Sequence, residues 1–204
     1  MTDEAPIERT ESGDVARGEG WYVVNAREAR WIHSPELGSA VTFEGDARFE
    51  EYGINIQVLE PGQPNCMYHA EDGQEDFLVL SGECLLLVEG QERRLKAWDF
   101  VHCPPWTEHV FVGAGDGPCA ILAAGSRRGD DTIYPVSELA LRHRAGVRIE
   151  TRDPSAAYAE IADDVETRYQ DGWLPEPAPS PSGSRQPGAA QRSMAEPGPH
   201  EPGS

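Results

Sequence analysis

Between Trp21 and Ala123 the chain is divided into short apolar segments separated by turn residues, a punctuation that suits strands and leaves no room for long amphipathic helices. The segments expected to be strands are Trp21–Val24, Val41–Phe43, Asn55–Glu60, Cys66–His69, Asp76–Leu80, Cys84–Val88, Phe100–Cys103, His109–Val112 and Cys119–Ala123. Ser81-Gly82 and Glu89-Gly90-Gln91 read as tight turns, because glycine reaches positive φ without steric cost. Pro61-Gly62 and Pro104-Pro105 mark further corners. With no internal repeat at a period of about 20–50 residues, the pattern predicts one β barrel or sandwich.

The ends of the 204-residue chain differ from its middle. Residues 1–19 carry almost no large apolar side chains and are expected to form a disordered arm. Residues 20–150 would hold the barrel and an N-terminal extension. Asp153-Pro154 pairs a helix cap with proline at the first helical position, and Tyr158, Ile161, Val165 and Tyr169 follow at helical steps, predicting one C-terminal helix over 151–173. Residues 174–204 are rich in Pro, Gly and Ser and are expected to be a disordered tail. Two short flanking helices are predicted, Ala26–Ala29 capped by Asn25 and Glu138–His143 capped by Ser137.

A net charge of −19, from 36 acidic and 17 basic residues, argues against nucleic acid as a partner, since phosphate neutralisation needs clustered Lys and Arg. No apolar run approaches the about 20 residues of a membrane span, and the first residues lack a basic start and an apolar centre. A cytoplasmic location is therefore expected. Cys66, Cys84, Cys103 and Cys119 form no C-x-x-C pair, which removes zinc-ribbon and thioredoxin-like readings and leaves buried free thiols.

The chemistry lies in two segments, PGQPNCMYHAEDGQEDFLVLSG and WDFVHCPPWTEHVFV. His69, Glu71 and Glu75 fall within seven residues, and strand alternation would put His69 and Glu71 on one face, with Cys66 pointing away from it. Two carboxylates buried beside an imidazole need a cation or a shared proton. A divalent ion is the simplest answer, and imidazole nitrogen with carboxylate oxygen suits Fe, Mn, Zn, Co or Ni. His109, beyond the Pro-Pro corner, supplies a fourth ligand. If Glu71 instead faces solvent, His69, Glu75 and His109 make an open facial triad. His102, Phe100 and Phe111 are candidates for lining the pocket, and Cys66 and Cys103 for core thiols.

These segments resemble the two signature motifs of the cupin superfamily, G-x5-H-x-H-x3,4-E-x6-G and G-x5-P-x-G-x2-H-x3-N. Glu75 and Gly82 keep the E-x6-G spacing, with His69 and Glu71 at the two His positions and Gly62 one residue further upstream. Pro104 and His109 keep P-x4-H, while Trp98 and Trp106 replace glycines and Gly113 replaces Asn. The resemblance implies an all-β double-stranded β-helix, a jelly-roll barrel, with metal ligands His69, Glu71, Glu75 and His109. It points to a metal-dependent enzyme acting on a small organic molecule, of dioxygenase, isomerase or decarboxylase type, or alternatively to a non-catalytic binder that uses the metal to anchor its ligand. A homodimer is expected, with the apolar segment Trp21–Val24 as a pairing edge.

Overall fold

The structure is a computed structural model that describes residues 2–129 and 131–176. The tail expected over 174–204 falls outside it from residue 177 onward. A hairpin opens the chain, β1 (Ile7–Arg9) against β2 (Asp14–Ala16). There follow β3 (Trp31–Ser34), β4 (Gly38–Thr42), β5 (Tyr52–Leu59), β6 (Ala70–Glu71), β7 (Glu75–Ser81), β8 (Glu83–Val88), β9 (Gln91–Lys96), β10 (Phe100–Cys103), β11 (His109–Ala114), β12 (Cys119–Ser126) and β13 (Thr132–Ile133). Two short helices, α1 (Glu138–Arg142) and α2 (Pro154–Ala157), precede β14 (Val165–Thr167).

A seven-stranded antiparallel sheet in the order β10-β7-β12-β5-β4-β3-β14 faces a three-stranded sheet, β11-β8-β9. Strand alternation sends Phe77 and Val79 of β7, and Ile121 and Ala123 of β12, inward to meet Leu86 of β8 and Phe111 of β11. These side chains, with Leu59 and the thiols of Cys84, Cys103 and Cys119, fill the barrel. The outward side of the large sheet has its own apolar layer, in which Val58, Val41 and Trp31 lie under Tyr169, Trp173 and Leu174. The Trp31 indole sits 4.9 Å from that of Trp173 and donates to the Ala26 carbonyl at 2.8 Å. The fold is the double-stranded β-helix expected for the middle of the chain.

Several local expectations are corrected. The N-terminal segment contains a paired hairpin, and Ala5, Val15 and Ala16 are buried; small side chains in close backbone contact do the work that large ones would do elsewhere. Trp21–Val24 is not a strand, for Trp21 makes only an isolated bridge with Glu4. Ala26–Ala29 is a turn, in which the Asn25 side chain accepts from Arg27 N. Cys66–His69 is a turn rather than a strand.

The C-terminal helix is one turn long. Asp153 caps α2 through Ser155 N at 2.9 Å, and Tyr158 closes it. The open edge of β3 then offers backbone partners to Val165–Thr167, whose β-branched ends suit a strand, and the extended chain brings Tyr169 and Trp173 over Trp31. By contrast, α1 forms where expected, with Ser137 as its cap. Trp98 and Trp106 occupy φ of +76° and +68°, so the backbone keeps a glycine-like conformation at the two positions where the motif has glycine.

Candidate metal centre

His109 opens β11 and His69 lies just before β6, and the two backbones are bridged by His109 N to His69 O at 2.8 Å and His69 N to His109 O at 3.2 Å. This bridge closes one end of the barrel and sets the imidazole rings 5.0 Å apart. Glu75, the first residue of β7, projects inward opposite Gly125 of β12. His69, Glu75 and His109 each offer one ligand atom within 4.8 Å of the others. A shared ion at about 2.1 Å from each ligand would hold any two of them within about 4.2 Å.

Both rings are oriented in the same way. His69 Nδ1 donates to the Met67 carbonyl at 2.8 Å, and His109 Nδ1 to the Thr107 carbonyl at 3.0 Å, in each case two residues upstream. Nε2 is thereby the atom each ring presents to the pocket. His69 Nε2 lies 3.3 Å from Glu71 Oε1, and His109 Nε2 lies 3.3 Å from Glu75 Oε2. An imidazole Nε2 facing a carboxylate requires something positive between them, a proton or a metal ion.

The protonation states fit that requirement. Burial and the nearby charge of Glu71 push Glu75 up to about 7. Burial, with His69 beside it, pushes His109 down to about 4. Burial also works to lower His69, but Cys66, Glu71 and Glu75 outweigh it and hold the ring well above its ordinary value. The hydrogen bond from His69 lowers Glu71. Near neutrality His69 is therefore protonated, His109 is neutral, and Glu75 stands near the midpoint of its titration. The donor set, two Nε2 atoms and buried carboxylate oxygen, fits such an ion.

A pH dependence follows. Binding an ion must displace the proton on His69 and, below about 7, the one on Glu75. Affinity should fall as pH drops through 7, by about tenfold per displaced proton for each pH unit. Calorimetric titration with Zn²⁺ at pH 8, 7 and 6 measures it, and a flat profile would contradict the proton count.

Glu71 lies beside His69 but outside the set of three converging atoms, and its side chain is partly open to solvent. His102 is on the outward side of the large sheet, paired with Asp76 at 2.7 Å. Phe100 is 64% exposed, on the same side as His102. Phe111 is fully buried against Phe77, at 4.6 Å between ring centroids. Of the three expected lining residues, Phe111 alone faces the interior, and it packs below the histidines; outward alternation along β10 removes the other two. Cys103 is the core thiol expected, but Cys66 Sγ lies 3.6 Å from His69 Nδ1, because residues 66–69 turn and strand alternation does not apply.

Three neighbours of the site carry no signal in the sequence. Tyr134 sets its ring 6.0 Å from His69, tilted by 36°, arriving from a short segment whose spacing matches no motif. Asn55 faces inward from β5, level with Ala123, and its Oδ1 is buried without a hydrogen-bond partner. Gln57, next on that face, accepts from Asn65. A hollow of about 850 Å³ lies elsewhere, between the β3–β4 turn, Pro64 and the segment from Leu141 to Ile161, and touches the site's surroundings through Met67.

Residues 55–125, which supply Glu75 and both histidines, match the family model of the cupin domain. This stretch is a cupin domain. Among solved structures, the polyketide cyclase RemF from Streptomyces resistomycificus is 14% identical, with 69% of this chain and 93% of that one covered at a TM-score of 0.50. A cupin protein from Bacteroides fragilis is 20% identical over 46% of this chain and 80% of its own, at a TM-score of 0.41. A candidate sugar phosphate isomerase from Acidithiobacillus ferrooxidans is 24% identical over 47% of this chain, at a TM-score of 0.40, and this chain spans 64% of its length. No curated protein matches the chain. Among the described residues, no helix is long and apolar enough to cross a membrane.

Proposed function

We propose that the cupin domain binds one divalent ion, Fe, Mn, Zn, Co or Ni, through His69, Glu75 and His109 with Glu71 as a fourth ligand, and acts as a metal-dependent enzyme on a small organic molecule. The observation that carries this reading is the convergence of two buried, similarly oriented Nε2 atoms on a carboxylate that burial holds partly protonated. A bound ion would act there as a Lewis acid, polarising substrate oxygen atoms. Glu75, at about 7, stands near the value at which a carboxyl group best takes up and returns a proton at neutral pH.

The wall around Asn55 bears on the ligand. Ala123 and Gly125 leave the inner face of β12 low beside Glu75, and the unpaired Asn55 Oδ1 asks for a hydrogen-bond donor. The substrate class favoured is a small molecule with a metal-binding oxygen at one end and a hydroxyl or amine at the other. The fold itself hosts dissimilar activities and does not choose among oxidation, isomerisation and decarboxylation.

Elemental analysis of protein purified without chelator should give about one metal per chain, and an apo protein that ignores added Fe, Mn, Zn, Co and Ni would overturn the reading. Oxygen uptake across a panel of hydroxylated acids and phenols separates a dioxygenase from an isomerase or decarboxylase. Tight ligand binding with no turnover across that panel would favour the ligand-anchoring alternative.

Asn55 gives a test that needs no substrate. Replacing a buried, unpaired acceptor with an apolar side chain of similar size should stabilise the protein by about 1–2 kcal/mol. Asn55→Leu should therefore raise Tm by roughly 2–8 °C for a chain of this size, while weakening ligand binding. A lowered Tm in differential scanning calorimetry would mean that Asn55 already has a partner. A cytoplasmic homodimer belongs to the same proposal: Trp21 and Val23 are 53% and 81% exposed and offer a second copy an apolar surface, though not a strand edge.

A further inference from the structure

The segment from 131 to 158 lies outside the cupin stretch, yet it closes one flank of the histidine site. β13 pairs with β6, setting Thr132 against Glu71 and Ile133 against Ala70. Tyr134 continues from β13, bridges to Thr151, and sets its ring 6.0 Å from that of His69, tilted by 36°. Tyr158, at the end of the single-turn helix α2, meets Tyr134 edge to face at 5.8 Å and accepts a hydrogen bond from Met67 N at 3.2 Å. The Met67 carbonyl is the group that accepts from His69 Nδ1.

The two hydrogen bonds lie on either side of the Met67 α-carbon. Only φ and ψ of one residue separate the amide held by Tyr158 from the carbonyl that orients His69. Met67 sits in an irregular stretch, where no strand ladder fixes those angles. Tyr68 N, on the peptide that follows Met67, donates to the Ala145 carbonyl at 2.6 Å, and the Tyr158 hydroxyl holds the peptide that precedes it, so Met67 is fixed from both sides.

On the reading that the cluster binds a metal ion, we infer that Tyr158 is a positioning residue for that ion, acting through the Met67 peptide to aim His69 Nε2. Outer partners that orient a metal-bound histidine are worth about 10–100-fold in metal affinity. Tyr158 acts one step further out, so the expected loss on removing its hydroxyl lies at the lower end, about tenfold.

The experiment is a Co²⁺ titration of wild type, Tyr158→Phe and Ala157→Gly, followed by calorimetry and by the visible d–d bands. Tyr158→Phe keeps the ring and deletes the hydroxyl. Ala157→Gly loosens the same helical turn and keeps the hydroxyl. The expected result is an affinity about tenfold weaker and shifted d–d bands for Tyr158→Phe, with Ala157→Gly spectroscopically like wild type. Equal affinity and identical bands for wild type and Tyr158→Phe overturn the inference and leave the metal reading standing, whereas a wild type that binds no Co²⁺ overturns both. If Tyr158→Phe does not fold, Zn²⁺ titration of the wild type decides by NMR: a perturbed Met67 amide and Tyr158 ring support the coupling, and unmoved resonances at both overturn it.

Discussion

Replacing His109 with alanine should abolish metal binding while leaving a folded barrel. His109 is 1% exposed and presents its Nε2 to Glu75. Binding free energies of about 10–16 kcal/mol are typical of structural zinc sites, so one ligand of three or four is worth about 4 kcal/mol, roughly a thousandfold in affinity. The truncation leaves a cavity but no unpaired buried charge, since an isolated buried carboxyl such as Glu75 keeps its proton and stays neutral. Elemental analysis and Zn²⁺ calorimetry measure the loss, and near-UV circular dichroism checks the fold. A His109→Ala protein that retains one metal per chain would place the ion somewhere other than this cluster.

The second large effect concerns the opposite side of the same sheet. Trp31→Ala should destabilise the protein by about 3–5 kcal/mol, the usual cost of removing a large aromatic from a packed core, and lower Tm by roughly 6–20 °C. Trp31 is fully buried, stacks on Trp173 and is hydrogen-bonded to Ala26. Its layer lies on the outward face, so the metal affinity of the folded variant should match wild type. Thermal melts and Co²⁺ titration below the transition separate the two effects. A large fall in affinity in the folded variant would show that the outer layer controls the site.

The barrel was legible in the chain because its strands carry apolar alternation between glycine and proline corners, and seven of the nine expected segments, such as Asp76–Leu80 and Cys84–Val88, fall on observed strands. β9 escaped because Gln91–Lys96 is polar and exposed but for Leu95, as an outer strand can be. β3 escaped because Trp31 owes its burial to a C-terminal segment more than 130 residues away, a pairing that no local pattern encodes. The same pairing turned the expected helix of 151–173 into one turn and a strand.

The motif was instructive where residue identity and backbone part company. Trp98 and Trp106 hide the glycine pattern in the sequence, yet hold the glycine-like φ. At the site, spacing identified His69, Glu75 and His109, whereas Asn55, Cys66 and Tyr134 come into place through sheet order and turns and could not be read from spacing.

The two carbonyls that hold the imidazoles have a consequence for how such a barrel can change over time. Because main-chain oxygen of Met67 and Thr107 aims the rings, altering the neighbouring side chains does not delete the groups that orient them. Asn55 of β5, whose Oδ1 has no hydrogen-bond partner, takes no part in that aim and can change without disturbing it. Selection can then reshape what lies beside the cluster while the inward-facing Nε2 atoms stay in register, so the surroundings and the aim of the two rings are separately heritable parts of one small barrel.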